Sequence, residues 1–211
     1  DLKNAAGNLS LILQNAPNHI NKPDFQSDML ETITQTLARI DKVMSRLGVM
    51  PAKEELNKQH THIRSLVETV LMNLQPRLVD ITVTEKVDQD LEVMTDPEML
   101  GKILENIIVN ATESVSADGE ITITAKSDGN GCAICVKDNG TGMSEDFIRE
   151  RLFKPFQTTK KKGTGLGLWQ VKNMADKLGA SIEVTNYPAQ GVMFTIIFPI
   201  YSGESPADEP G

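Results

Sequence analysis

Leu30, Ile33, Leu37, Ile40, Met44 and Leu47 recur at steps of three and four residues, which puts them in one stripe along a helix. A helix with one apolar side has to lay it against something. The stretch ahead of it, from about Asp1 to Gln14, carries Leu2, Leu9, Ile12 and Leu13 at helical spacing. Between them Pro17 and Pro23 mark Asn15 to Asp24 as a turn region. Residues 1–50 therefore read as a helical hairpin. Two such helices bury little surface alone, and pairing two hairpins into a dimeric four-helix bundle buries the remaining stripe. Packing of the pair on the chain's own second domain is the alternative.

Past a short linker, Gly48 to Asn57 with Pro51, the pattern changes. Ile63–Leu74 reads as a helix, and Ile81–Val87 with Leu91–Thr95 reads as a strand pair. Asp96-Pro97 supplies an N-cap and a proline at the first helical position, for a helix running to about Val115. Ile121–Ala125 and Ala133–Val136 alternate as strands around Asp128-Gly129-Asn130-Gly131. A helix is predicted over Leu166–Leu178, with strands at Ser181–Thr185 and Val192–Phe198. Hairpin-paired strands with helices between them predict an α+β fold: a two-layer sandwich over residues 57–200 behind the helical hairpin, with a disordered tail over 201–211.

The totals exclude some functions. Apolar content of 39% and charged content of 24% are ordinary for a globular chain of 211 residues. A formal net charge of −8 argues against a nucleic-acid binder, which needs a basic face. It leaves ATP open, because a local basic cluster and a metal can serve a nucleotide inside an acidic protein. There is no apolar run of the ~18 residues that a membrane helix needs. The chain opens without Met inside a predicted helix, and so reads as a segment of a longer protein; a membrane anchor upstream is compatible with that. Cys132 and Cys135 form a C-A-I-C pair inside a predicted strand, where residues three apart face opposite sides, so neither a redox nor a zinc motif is expected. Reduced, cytosolic thiols fit best.

Four segments carry chemistry. In Leu104-Glu105-Asn106-Ile107-Ile108-Val109-Asn110-Ala111, two amides lie four residues apart on a helix that is otherwise mostly apolar. Their amide oxygens suit Mg²⁺; satisfaction by neighbouring backbone is the equal alternative. In Asp138-Asn139-Gly140-Thr141-Gly142-Met143, glycines let backbone approach a ligand, and Asp138 can accept from an exocyclic amine such as adenine's, although the segment could also be a plain turn. Phe153-Lys154-Pro155-Phe156-Gln157-Thr158-Thr159-Lys160-Lys161-Lys162 sets two aromatics, expected to anchor a loop, before a run of lysines. Gly163-Thr164-Gly165-Leu166-Gly167-Leu168 then runs into a helix, where backbone N–H groups make an anion site. It matches neither a Walker A loop nor a dinucleotide fingerprint.

In this order and spacing, the segments from about Asn57 to Pro199 resemble the ATP-binding domain shared by histidine kinases, gyrase, Hsp90 and MutL. The resemblance implies an open α/β sandwich with ATP between its helices and a mobile lid. It makes Asn106 and Asn110 the N box, Asp138–Gly142 the first glycine box, Phe153 and Phe156 the F box, and Gly163–Gly167 the second glycine box. Gly191 with Thr195 looks like the last box. It assigns Mg²⁺ to Asn110 and the adenine amine to Asp138. It extends the nucleotide site to Asn106, Gly140, Gly142, Met143, Phe156, Thr159, Lys160, Gly163, Thr164, Gly165, Leu166, Gly167, Leu168 and Thr195.

Two features choose the branch. In gyrase, Hsp90 and MutL the position four before the magnesium asparagine is a water-activating glutamate; here it is Asn106, and Glu105 lies about 100° round the helix. Asp1-Leu2-Lys3-Asn4 resembles the tail of the H-[DE]-L-[KR]-N motif, whose histidine would directly precede Asp1. His19, His60 and His62 lack that motif. The chain is thus identified as similar to sensor histidine kinases of two-component systems. The resemblance implies Mg-ATP as cofactor and phosphoryl donor, a phosphoacceptor histidine, homodimerisation through the hairpin, and a response-regulator receiver domain as partner. It assigns catalytic roles to Asp1, Asn4, Asn106 and Lys160, Asp1 as base for the histidine and Asn4 as orienter of water for phosphatase activity. G-N-L-S-L-I-L-Q-N-A and F-I-R-E-R-L-F-K-P-F are similar to PrsK-type kinases linked to exopolysaccharide and PEP-CTERM systems. One departure matters: many histidine kinases have a basic residue three after the magnesium asparagine, where this chain has Glu113, which leaves more phosphate contact to Lys160. A nucleotide-binding scaffold or pseudokinase, and a gyrase- or Hsp90-like ATPase, are the competing readings.

Overall fold

The computed structural model describes residues 2–20, 22–46, 56–116, 118–127, 131–160 and 163–199. It divides into two compact units, Asp1–Glu55 and Leu56–Gly211. Most of the linker expected at Gly48–Asn57, the glycine turn at 128–130, Lys161, Lys162 and the tail beyond Tyr201 lie outside the described residues, as does Asp1.

The first unit is a pair of contacting helices, α1 (Leu2–His19) and α2 (Pro23–Arg46). α1 runs past the expected end at Gln14, with Pro17 inside its last turn. A proline that close to a C-terminus removes a single intrahelical bond, so the helix survives it. The turn is shorter than expected: Ile20 N–H donates to the Ala16 carbonyl at 3.0 Å and Lys22 N–H to that of His19 at 2.9 Å. Pro23 then opens α2, where its missing N–H costs nothing. Leu13 and Leu30 remain 73% and 61% exposed, apolar surface that the hairpin leaves uncovered.

The second unit begins with β1 (Gln59–His62) and α3 (Ile63–Leu74), then β2 (Ile81–Val87), β3 (Glu92–Thr95) and α4 (Pro97–Thr112). β4 (Gly119–Ser127), β5 (Gly131–Asp138), the short α5 (Glu145–Glu150), α6 (Gly167–Leu178), β6 (Ser181–Tyr187) and β7 (Gly191–Pro199) follow. A five-stranded sheet has the order β2-β4-β5-β7-β6, parallel only between β2 and β4. This corrects the expected pairing of Ile81–Val87 with Leu91–Thr95. β3 instead pairs antiparallel with β1 as a separate two-stranded ladder, Thr61 opposite Val93. The sequence of β1, Gln59-His60-Thr61-His62, has no apolar residue and buries only Thr61, so it carries no periodic signal.

α4 is in contact with α3 and α6, and its Ile103, Leu104, Ile107 and Ile108 are at most 1% exposed. Alternate residues of β4, β5 and β7, among them Ile121, Ile123, Ile134, Val136, Phe194 and Ile196, complete one core. The start of α4 is fixed as its sequence predicts. Asp96 Oδ1 accepts from Met99 N–H at 3.0 Å, and its Oδ2 accepts from Asn57 N–H at 3.0 Å. Asp96→Ala is expected to lower stability by about 1 kcal/mol, read as a lower urea midpoint at unchanged slope. An unshifted midpoint would mean that water replaces the cap at no cost.

Candidate functional site

The end of β5, the exposed side of α4's last turns, the start of α6 and the loop before it enclose a cavity of about 430 Å³. Of the expected residues, Asn106, Asn110, Asp138, Gly142, Met143, Thr159, Lys160, Gly163, Thr164, Gly165, Gly167 and Leu168 line it. Positions as distant in the chain as Asn106 and Phe194 converge because α4 and α6 pack side by side over the sheet.

Asp138 closes one part of the wall. It is 5% exposed, and its Oδ1 accepts from Gly140 N–H at 2.8 Å. Apolar neighbours on the same cavity are Val109, Met143, Leu168, Val192 and Phe194. A buried carboxylate with acceptor capacity to spare, set among apolar side chains, suits a flat polar ring that brings an N–H.

At another part of the wall the groups are polar. Lys160 Nζ donates to Asn110 Oδ1 at 3.1 Å and to Glu113 Oε2 at 2.5 Å. Asn106 Nδ2 donates back to the Lys102 carbonyl at 2.8 Å, so this amide is satisfied by its own helix. A Cβ on Gly167 would stand 3.2 Å from Asn106 Oδ1, which is why α6 can start so close to α4. Glu105 is exposed and lies off the cavity.

Four expected site residues do not line the cavity. Gly140 is buried, and a Cβ there would meet the Ser114 carbonyl oxygen at 2.5 Å, so its smallness serves packing. Leu166 is 7% exposed and precedes the first turn of α6 as its N-cap. Phe156, expected as an anchor, is 57% exposed with φ of +63°; Phe153 alone packs against the core. The backbone of Phe156 and Gln157 instead lies against Gly165, whose own φ is +69° and whose Cβ would come within 2.5 Å of it. Thr195 alternates to the other face of β7 from Val192 and Phe194, so those two, not Thr195, meet the cavity. Of Asn4 only its place in α1 is described.

Sequence reasoning missed Asn186. Its Oδ1 accepts from Met143 N–H at 2.9 Å and holds the loop after β5 from 43 positions away. It also missed Ser144, which caps α5 by accepting from Phe147 N–H at 3.3 Å, and Phe147, which lines the cavity. The signal for the cap was present in Ser144-Glu145-Asp146-Phe147.

Residues 95–202, a little over half of the chain, match the family described as histidine kinase-, DNA gyrase B-, and HSP90-like ATPase. The sensor histidine kinase ZraS of Escherichia coli is 30% identical over 176 residues, which are 82% of this chain and 38% of that protein. Sporulation kinase A of Bacillus subtilis is 32% identical over 174 residues, 80% of this chain and 28% of that protein. The chain therefore spans well under half the length of these curated relatives. Among solved structures, the catalytic domain of the histidine kinase ThkA superposes with a TM-score of 0.62 at 26% identity, over 68% of this chain and 95% of that one. The cavity, its glycine loops and these likenesses agree: the chain belongs to the histidine kinase-, DNA gyrase B- and HSP90-like ATPase family, with the ATP-binding domain of the sensor histidine kinases.

Proposed function

We propose that the chain is the dimerising and ATP-binding part of a sensor histidine kinase, which passes the γ-phosphoryl group of ATP to a histidine and thence to a response-regulator aspartate. The observation that carries this reading is one cavity holding Asp138 at an apolar wall and Asn110 with Lys160 at a polar one. A buried acceptor beside apolar side chains, with a cation and an amide in the same cavity, fits a purine and a polyphosphate bound together.

The residues also fit magnesium. Asn110 Oδ1 is a hard oxygen donor already in contact with a cation, the ammonium of Lys160. Asn110 would hold the metal, which when bound supplies charge neutralisation to the triphosphate. Asp138 would accept the adenine amine, and Lys160 with the backbone N–H groups of Gly163–Gly167 would hold phosphate oxygens. Phosphoryl transfer asks mainly for such positioning and neutralisation. Asn106 stands where the water-activating branch has a base, and an amide bound to its own helix cannot take a proton, which favours transfer to a side chain over hydrolysis.

The exposed Leu13 and Leu30 support a hairpin that pairs with a second copy. Asp1 and Asn4 keep their assignment beside the phosphoacceptor, including phosphatase work, on the likeness of Asp1-Leu2-Lys3-Asn4 to the histidine motif. The PrsK-type likeness rests on the same kind of wording.

The test is a chain with a single histidine added ahead of Asp1, given γ-labelled ATP. Acid-labile, base-stable label on that histidine is the expected result. Tight ATP binding with no label would favour the nucleotide-binding scaffold; steady ATP turnover would favour the gyrase-like reading.

A further inference from the structure

Glu113 is the C-cap residue of α4, one turn beyond Asn110. An acidic residue there is in an unfavourable place, since the last carbonyls of a helix already carry partial negative charge. α4 has no basic residue in its last turn to offset this. The offset comes from elsewhere in the sequence: the Lys160 ammonium lies 2.5 Å from Glu113 Oε2 and 3.1 Å from Asn110 Oδ1. All three residues line the cavity. The end of α4 is thus a seat for a cation, made of the Asn110 amide oxygen and the Glu113 carboxylate, and a lysine fills it.

We propose that Glu113 is a specificity-determining residue that makes this site select metal-loaded nucleotide over free nucleotide. This rests on reading Asn110 as the metal's ligand. A free triphosphate brings only negative charge. It must either face the Glu113 carboxylate or draw Lys160 away from it and leave that carboxylate unpaired beside phosphate. A nucleotide carrying a divalent cation meets the opposite situation. Asn110 and Glu113 would hold the cation in place of the ammonium, and Lys160 would be free for a phosphate oxygen with the carboxylate still paired. A residue that only tethered the loop to α4 would tax both forms of the nucleotide equally.

The experiment is calorimetric titration of ATP into the full chain, with excess Mg²⁺ and separately with EDTA, for the wild type and Glu113→Gln. Glutamine keeps the shape, and Glu113 is partly exposed, so the variant is expected to fold; a thermal melt verifies it. The ratio of metal-free to metal-loaded Kd should fall in the variant by roughly three- to tenfold, mainly through tighter metal-free binding, as for removal of one partly screened charge. An unchanged ratio, or both affinities moving by one factor, overturns the proposal while leaving Asn110's role intact. A wild type that binds ATP equally with and without Mg²⁺ overturns the metal assignment itself, and the proposal with it.

Discussion

Gly191→Ala is expected to cost about 2–6 kcal/mol of stability and to weaken ATP binding along with it. Gly191 has φ of +104°, a conformation that strains any residue with a side chain by about 1–3 kcal/mol. There is also no room. A Cβ would stand 1.9 Å from the Asp138 carbonyl oxygen and 2.9 Å from the Asn139 Cα. These are backbone atoms of the neighbouring strand end, which cannot turn aside as a flexible side chain would, so overpacking adds about 1–3 kcal/mol. The strand that must shift is the one carrying Asp138, which couples the loss of stability to the site. Gly179→Ala is the control. Its φ is +76° but nothing lies within 4 Å, so strain alone applies and a loss of about 1 kcal/mol is expected. Urea unfolding separates the two; equal losses would show that the close approach at Gly191 relaxes without cost.

Gly191 also shows how far the sequence could be read. Gly191 was legible only through the family resemblance, as part of the last box with Thr195; neither its close approach to β5 nor the face of each following residue was. The register puts Phe194 opposite Val136 and Thr195 opposite Cys135, so the core face carries Phe194 and the other face Thr195. Apolar residues stand on both faces of this strand, Phe194 and Ile196 on the buried one and Met193 and Ile197 on the half-buried one, so the alternation alone does not announce which side holds the ligand. Where a local rule acts alone, sequence and structure coincide. The apolar spacing of Ile63–Leu74 sets both ends of α3, and Asp96-Pro97 sets the start of α4. What stayed hidden depends on distant partners. β1 exists because β3 offers it a ladder. Phe156 is exposed because the chain turns through positive φ there to meet Gly165. The pairing of Lys160 with Glu113 joins positions 47 apart, and no window along the chain contains both.

Asp138→Asn is expected to weaken ATP binding by about 1.5–3 kcal/mol, roughly 10- to 150-fold, the range for a hydrogen bond to a charged group. The geometry says why so conservative a change should cost so much. Gly140 N–H points at Asp138 Oδ1 from 2.8 Å, and Gly140 is held there by its contact with the end of α4 at Ser114. An asparagine at 138 must turn its single oxygen to that N–H, because the opposite flip would set two donors against each other at a buried site. Its NH₂ would then face the cavity, where in the proposed pose the adenine amine would also donate. The carboxylate can accept on both sides and would avoid this conflict. The same reasoning predicts a gain. A 6-oxopurine triphosphate presents an acceptor where ATP presents the amine, so the wild type should prefer ATP over inosine triphosphate, and Asp138→Asn should narrow or reverse that preference. Calorimetry with both nucleotides on both proteins decides it. An unchanged ATP affinity in the variant would remove Asp138 from the purine site. A loss shared equally by the two nucleotides would mean that Asp138 shapes the loop through Gly140 without reading the base.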